Sequence, residues 1–86
     1  MYYIYFLKDL NGKIQYVGQT QNLNERKRDH KRNKPPHSFE IKEEVKVPEK
    51  AKELEIFYIE KFDTYKKGWN KTPGGEGFDD YDRKGI

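Results

Sequence analysis

MYYIYFLKDLNGKIQYVG, residues 1–18 of an 86-residue chain, decides the fold. Met1–Leu7 is a dense aromatic and aliphatic run, Lys13–Gly18 is a second, shorter one, and Asn11-Gly12 stands between them. Two such runs joined by Asn-Gly read as an antiparallel hairpin, because both residues of that pair tolerate the positive φ that a tight two-residue turn requires. Downstream, Gln19–Asn22 is polar and turn-like. Asn22 with Glu25 has the pattern of a capping box, in which the first side chain accepts from a free helix amide and the second reaches back. The helix is expected to run to about Lys31 or Arg32, because Pro35-Pro36 forbids its continuation.

Ser38–Val47, with Ile41, Val45 and Val47 behind Phe39, is expected as a third, partly exposed strand, although Lys42-Glu43-Glu44 dilutes its pattern. Pro48 at a first helical position opens a second helix through Phe62. Ala51, Leu54, Tyr58, Ile59 and Phe62 form its buried stripe. Residues 68–77 are rich in turn formers, and Asp79–Ile86 reads as a tail. The sum is an α+β arrangement of three strands and two helices.

A chain of this length holds one small core, so a single domain over residues 1–86 is expected. Leu, Ile, Val and Phe total only 18 of 86 residues, near the range where disorder begins, but seven Tyr, five Phe and one Trp supply the large buried areas that disordered chains lack. Without cysteine, disulfides, thiolate nucleophiles and thiolate zinc sites are excluded. There is neither a membrane-length apolar stretch nor a secretory pattern, and the expected location is intracellular, cytoplasmic in a prokaryote. The net charge of +3 permits an anionic partner without requiring one; its placement says more, since residues 26–34 hold six Lys or Arg against one Asp. Lys27, Arg28, Lys31, Arg32 and Lys34 are accordingly candidate phosphate contacts, or a solvated helix face.

The first helix has little apolar surface besides Leu23. At ~100° per residue, Arg26 and His30 lie about 60° and 20° from Leu23, on the same side, and form an i,i+4 pair able to act on one group. The structural alternative is an Arg26 that snorkels past the sheet edge and a His30 bonded to a carbonyl. On the second helix, Glu55 falls inside the apolar stripe, whereas Glu49, Glu53 and Glu60 fall on the wet side. A carboxylate on a buried face is costly unless paired or bound to a cation. Glu55 therefore reads either as a hard-cation ligand for Mg²⁺ or Mn²⁺ or as the salt-bridge partner of Arg26. Such residues suit phosphodiester hydrolysis: Arg26 can supply fixed donors to a phosphate, a cation on Glu55 can polarise it, and His30, Tyr5 or Tyr16 can move a proton.

Taken in order, these positions resemble the GIY-YIG nuclease family over nearly the whole chain. Tyr3-Ile4-Tyr5 stands where the family commonly has Gly-Ile-Tyr, and Tyr16-Val17-Gly18 matches the second half-motif. The match continues through Arg26 and His30, through Glu55 with Ala51 before it and Tyr58-Ile59 after it, and through Asn70 in a Gly-Trp-Asn context. The resemblance implies a small three-stranded antiparallel sheet flanked by helices and a metal-dependent endonuclease acting on DNA, in a setting such as repair or recombination. It implies one divalent cation on Glu55, Arg26 on the scissile phosphate, and Tyr5, Tyr16 and His30 around the attacking water. Gly18 and Asn70 are implied as supporting residues, and His37 as a secondary candidate near the centre. Many members carry a separate DNA-binding domain, so specificity borrowed from such a domain or from a protein partner is one expectation. The alternatives are a nucleic-acid-binding module without turnover and a partner-dependent structural subunit.

Overall fold

A computed structural model describes residues 1–71. The expected turns and tail beyond residue 71 lie outside the described residues. The elements run β1 (Tyr2–Lys8), β2 (Ile14–Thr20), α1 (Leu23–Asn33), β3 (Ser38–Val45) and α2 (Pro48–Phe62). The sheet order is β2-β1-β3, with both pairings antiparallel.

Because β1 is central, its side chains are buried on both faces. Ile4 and Phe6 join Val17 of β2 and Ala51, Tyr58 and Ile59 of α2 in the apolar core. Leu54 and Phe62 pack against that core, so the stripe read on the second helix is the buried one. Phe6 meets Tyr58 and Phe62 edge-on, with ring centroids 5.3 and 5.4 Å apart. The Tyr58 hydroxyl donates to Glu43 at 2.5 Å, fastening α2 to β3. On the alternate positions, Tyr5 and Leu7 are fully buried, and Tyr5 stacks on Phe39 at 4.6 Å. Burial on two sides explains why β1 reads as a nearly continuous apolar run.

Three local readings change. Asn11 does not have positive φ; only Gly12 does in this turn, at 84°. The Asp9 carboxylate accepts from the amides of Asn11 and Lys13, and the Gly12 amide donates to the Asp9 carbonyl. An Asp side chain that organises its own turn removes the need for a left-handed Asn11. At the start of α1, the Glu25 amide bonds the Asn22 side chain as expected, but the Asn22 amide bonds the Thr20 hydroxyl. The neighbouring strand thus supplies the second half of the cap, the part assigned by pattern to the Glu25 side chain. The third strand stops at Val45 instead of Val47, as the chain turns into Pro48 at the start of α2.

Candidate active site

Tyr5 is the centre of a buried group of polar rings. Its hydroxyl lies 2.7 Å from Nε2 of His30, in a buried hydrogen bond whose direction follows the imidazole tautomer. Tyr16 completes a three-ring group, with centroids 4.8 Å from His30 and 6.2 Å from Tyr5. The sheet supplies two of these rings and α1 the third. Among the described residues His30 is the sole buried side chain of α1, which answers why a helix so poor in apolar residues docks here: it is anchored through an imidazole.

Gly18 makes the arrangement possible. It pairs with Tyr5 across β1 and β2, and a Cβ on it would lie 2.4 Å from the Tyr5 hydroxyl oxygen and 3.0 Å from the Tyr16 ring. A side chain there would displace a buried ring that has nowhere to swing.

The electrostatic surroundings divide the labour. Burial raises the Tyr5 hydroxyl far above the usual tyrosine range; Tyr16 and the Glu55 charge act in the same direction, and the Arg26 cation opposes them. The charges of α1 and α2 therefore both act at this hydroxyl. Burial also lowers His30, to about 4, with Lys34, Arg26 and His37 adding to the effect and Asp29 opposing it. Near pH 7 the tyrosine is a neutral phenol and the histidine a neutral imidazole with a lone pair to offer.

Arg26 remains exposed while its charge reaches both Tyr5 and His30. It is not turned into the interior, as its helical position beside Leu23 suggested, because Leu23 itself is only half-buried and the imidazole fills the contact. Glu55 is only 6% exposed, as its place in the apolar stripe implied. It is also the only buried carboxylate among the described residues. No cluster of three or more His, Asp or Glu suited to a metal occurs among those residues. A single buried carboxylate still fits a magnesium-like ion, which keeps most of its waters and takes one or two carboxylates together with substrate phosphate oxygens.

Asn70 works from behind. Its side-chain oxygen accepts from the Val17 amide and its side-chain nitrogen donates to the Val17 carbonyl, both at 2.9 Å. The Trp69 amide donates to the Gln15 carbonyl at 2.6 Å. Together they satisfy the outer edge of β2 between the residues that flank Tyr16, much as an added strand would. His37 is half-buried, bonded through Nδ1 to the Pro35 carbonyl, and its ring meets Trp69 edge-on at 6.2 Å. Sequence reasoning missed Phe39, which stacks on Tyr5, and Thr20, which caps α1; an aromatic residue and a polar one in strand contexts gave no signal of either role.

The basic residues separate into two sets. Lys27, Lys31 and Lys34 line a depression of about 730 Å³ together with Leu10, His37 and Phe39. Lys34 also lies over the Tyr16 ring, 5.2 Å from its centroid. Burial and the nearby Lys71 hold the Lys34 ammonium below the usual lysine range, a strain that an anion in the depression would relieve. Arg28 and Arg32 do not line it, and Arg32 pairs with Asp29 at 3.3 Å. No helix among the described residues is long and apolar enough to cross a membrane.

No curated protein and no solved structure matches the chain. What does match is a family model, that of the GIY-YIG catalytic domain, and it spans residues 1–70, the stretch that holds every side chain of the three-ring group together with Arg26, Glu55 and Asn70; the chain belongs to this nuclease family.

Proposed function

We propose that the protein is a divalent-metal-dependent endonuclease that hydrolyses DNA phosphodiester bonds, and the observation that carries this reading is the buried Tyr5–His30 hydrogen bond beside Tyr16. A phenol kept neutral by burial is a poor base by itself, but it can pass a proton without ever holding a full charge. The half-buried Tyr16 is the end of the group that meets water. A water proton moves to the Tyr16 oxygen, the Tyr16 proton to the Tyr5 oxygen, and the Tyr5 proton to the free lone pair of His30 Nε2. The water oxygen attacks phosphorus, one P–O ester bond breaks, and the departing oxygen is protonated from solvent, leaving one phosphate monoester and one hydroxyl. The imidazolium then returns its proton to solvent.

Arg26, exposed and cationic, binds the scissile phosphate and stabilises the charge that develops on it. Glu55 would hold the Mg²⁺ or Mn²⁺, which when bound polarises the phosphate as a Lewis acid. Lys27, Lys31 and Lys34 hold neighbouring phosphates without reading bases. Low intrinsic sequence specificity follows from contacts of that kind, and a further domain or partner would supply more.

The test is cleavage of duplex, nicked, branched and single-stranded DNA with Mg²⁺ or Mn²⁺, with an EDTA control. Wild-type protein should cut, and Glu55→Ala and Arg26→Ala should each lose about 100-fold or more in rate while retaining the fold and most DNA binding. Equal cleavage by wild type and Glu55→Ala would remove Glu55 from the mechanism. Binding without cleavage by the wild type would favour a nucleic-acid-binding module.

A further inference from the structure

Leu10, at the tip of the β1–β2 hairpin, is 83% exposed, more than any other large apolar residue described. Isolated exposed leucines are ordinary. This one differs in its frame and its setting. The Asp9 side chain accepts from the amides of Asn11 and Lys13 and from the Gln15 side chain, its carbonyl accepts from Gly12, and its amide donates to the Lys13 carbonyl, so five hydrogen bonds hold the short loop that presents Leu10. The same leucine stands on the wall of the depression lined by Lys27, Lys31 and Lys34. A stiff apolar point beside three cations is suited to a polyanion whose interior is apolar and stacked.

Resting on the DNA-cleavage reading, we propose that Leu10 is a wedge that enters the base stack while Lys27, Lys31 and Lys34 grip the adjoining phosphates, so that the preferred substrate is duplex DNA already weakened at one step by a nick, mismatch or branch. Apolar wedges that part base steps must overcome the stacking of the step they enter. That cost is least where pairing or stacking is already broken. Three lysines form a small grip, and an intact duplex asks more of it than a damaged one. Leu10 follows Tyr5 by five positions. At ~3.3 Å per strand residue this is at most about 16 Å, or roughly five phosphate steps of ~3.4 Å each. The cut should therefore fall within a few nucleotides of the weakened step.

Binding in EDTA to duplexes carrying 2-aminopurine beside a nick, and to the same duplexes without the nick, tests the wedge separately from hydrolysis. Wild-type protein should raise the fluorescence several-fold on the nicked duplex and bind it more tightly than the intact one. Leu10→Ser should lose both effects with an unchanged salt dependence, and Leu10→Phe should keep them. Leu10 is exposed, so neither substitution removes core contacts. The proposal is overturned if Leu10→Ser unstacks the base as well as wild type does, if wild type binds both duplexes equally with no rise in fluorescence, or if it binds neither. A wild-type fluorescence rise lost in Leu10→Ser, but with no cleavage when Mg²⁺ or Mn²⁺ is added, would sustain the wedge and overturn the hydrolytic reading instead.

Discussion

His30 resists protonation chiefly because it is buried against the rings of Tyr5 and Tyr16, and Lys34 on the adjoining segment, Arg26 on its own helix and His37 beyond add to this, while Asp29 favours the cation. The folded protein protonates it only near pH 4, whereas the unfolded chain does so near the ordinary histidine value of 6.5. Between those values the unfolded state holds more protons than the folded one, so acidification favours unfolding. The contribution of His30 is fully present above pH 6.5 and is lost as pH falls toward 4, by up to about 3 kcal/mol at ~1.36 kcal/mol per tenfold difference in proton affinity. Urea unfolding of wild type and His30→Gln across pH 4–7 isolates this from the carboxylates that titrate in both proteins. The stability difference between the two should shrink as pH drops; a difference that grows would mean that the folded state stabilises the imidazolium and that the neutral-acceptor role is wrong.

At the scale of elements, the outer edge of β2 depends on the stretch that follows α2. Asn70 pairs with both backbone groups of Val17, and its replacement by Ala would leave a buried donor and acceptor without those partners. A loss of about 1–3 kcal/mol is expected, with faster hydrogen exchange at the Val17 amide and a parallel loss of cleavage, since Tyr16 and Gly18 flank the released residue. An Asn70→Ala protein that is destabilised but fully active would limit Asn70 to a structural part. This contact also marks what could be read from sequence and what could not. Two apolar runs on either side of Asn11-Gly12 exposed the hairpin, Pro48 exposed the start of α2, and helical spacing exposed the burial of Glu55, because each depends on neighbours within a few positions. The link from Asn70 to Val17 and the stacking of Phe39 on Tyr5 depend on strand pairing or on where the chain returns. The inward orientation expected of Arg26 differs for a related reason: spacing gave its angle around the helix but not how deeply that side of the helix is covered.

For the whole molecule, charge is segregated in a way that the net value conceals. Residues 26–34 hold six basic residues and one acid, whereas the other described residues, 1–25 and 35–71, balance at ten basic against ten acidic. Glu40 and Glu44 on β3 and Glu49, Glu53 and Glu60 on α2 are exposed. A nucleic acid should therefore approach across the α1 side, where the positive charge is concentrated. Along α1 and the Lys34 that caps it the structure distinguishes two faces, with Lys27, Lys31 and Lys34 on the depression beside the three-ring group and Arg28 and Arg32 off it. Each lysine that neutralises a phosphate should contribute about 0.9 to the slope of log affinity against log salt on duplex DNA. Single alanine substitutions at the three lysines should each lower that slope by nearly this amount in EDTA titrations, and Arg28→Ala and Arg32→Ala should leave it close to wild type, although all five remove one positive charge. A uniform effect would mean that the chain attracts DNA only as a diffuse cation. A larger loss at Arg28 and Arg32 would put the DNA path over the outer face of α1, too far from Tyr16 and Arg26 for cleavage at the proposed site.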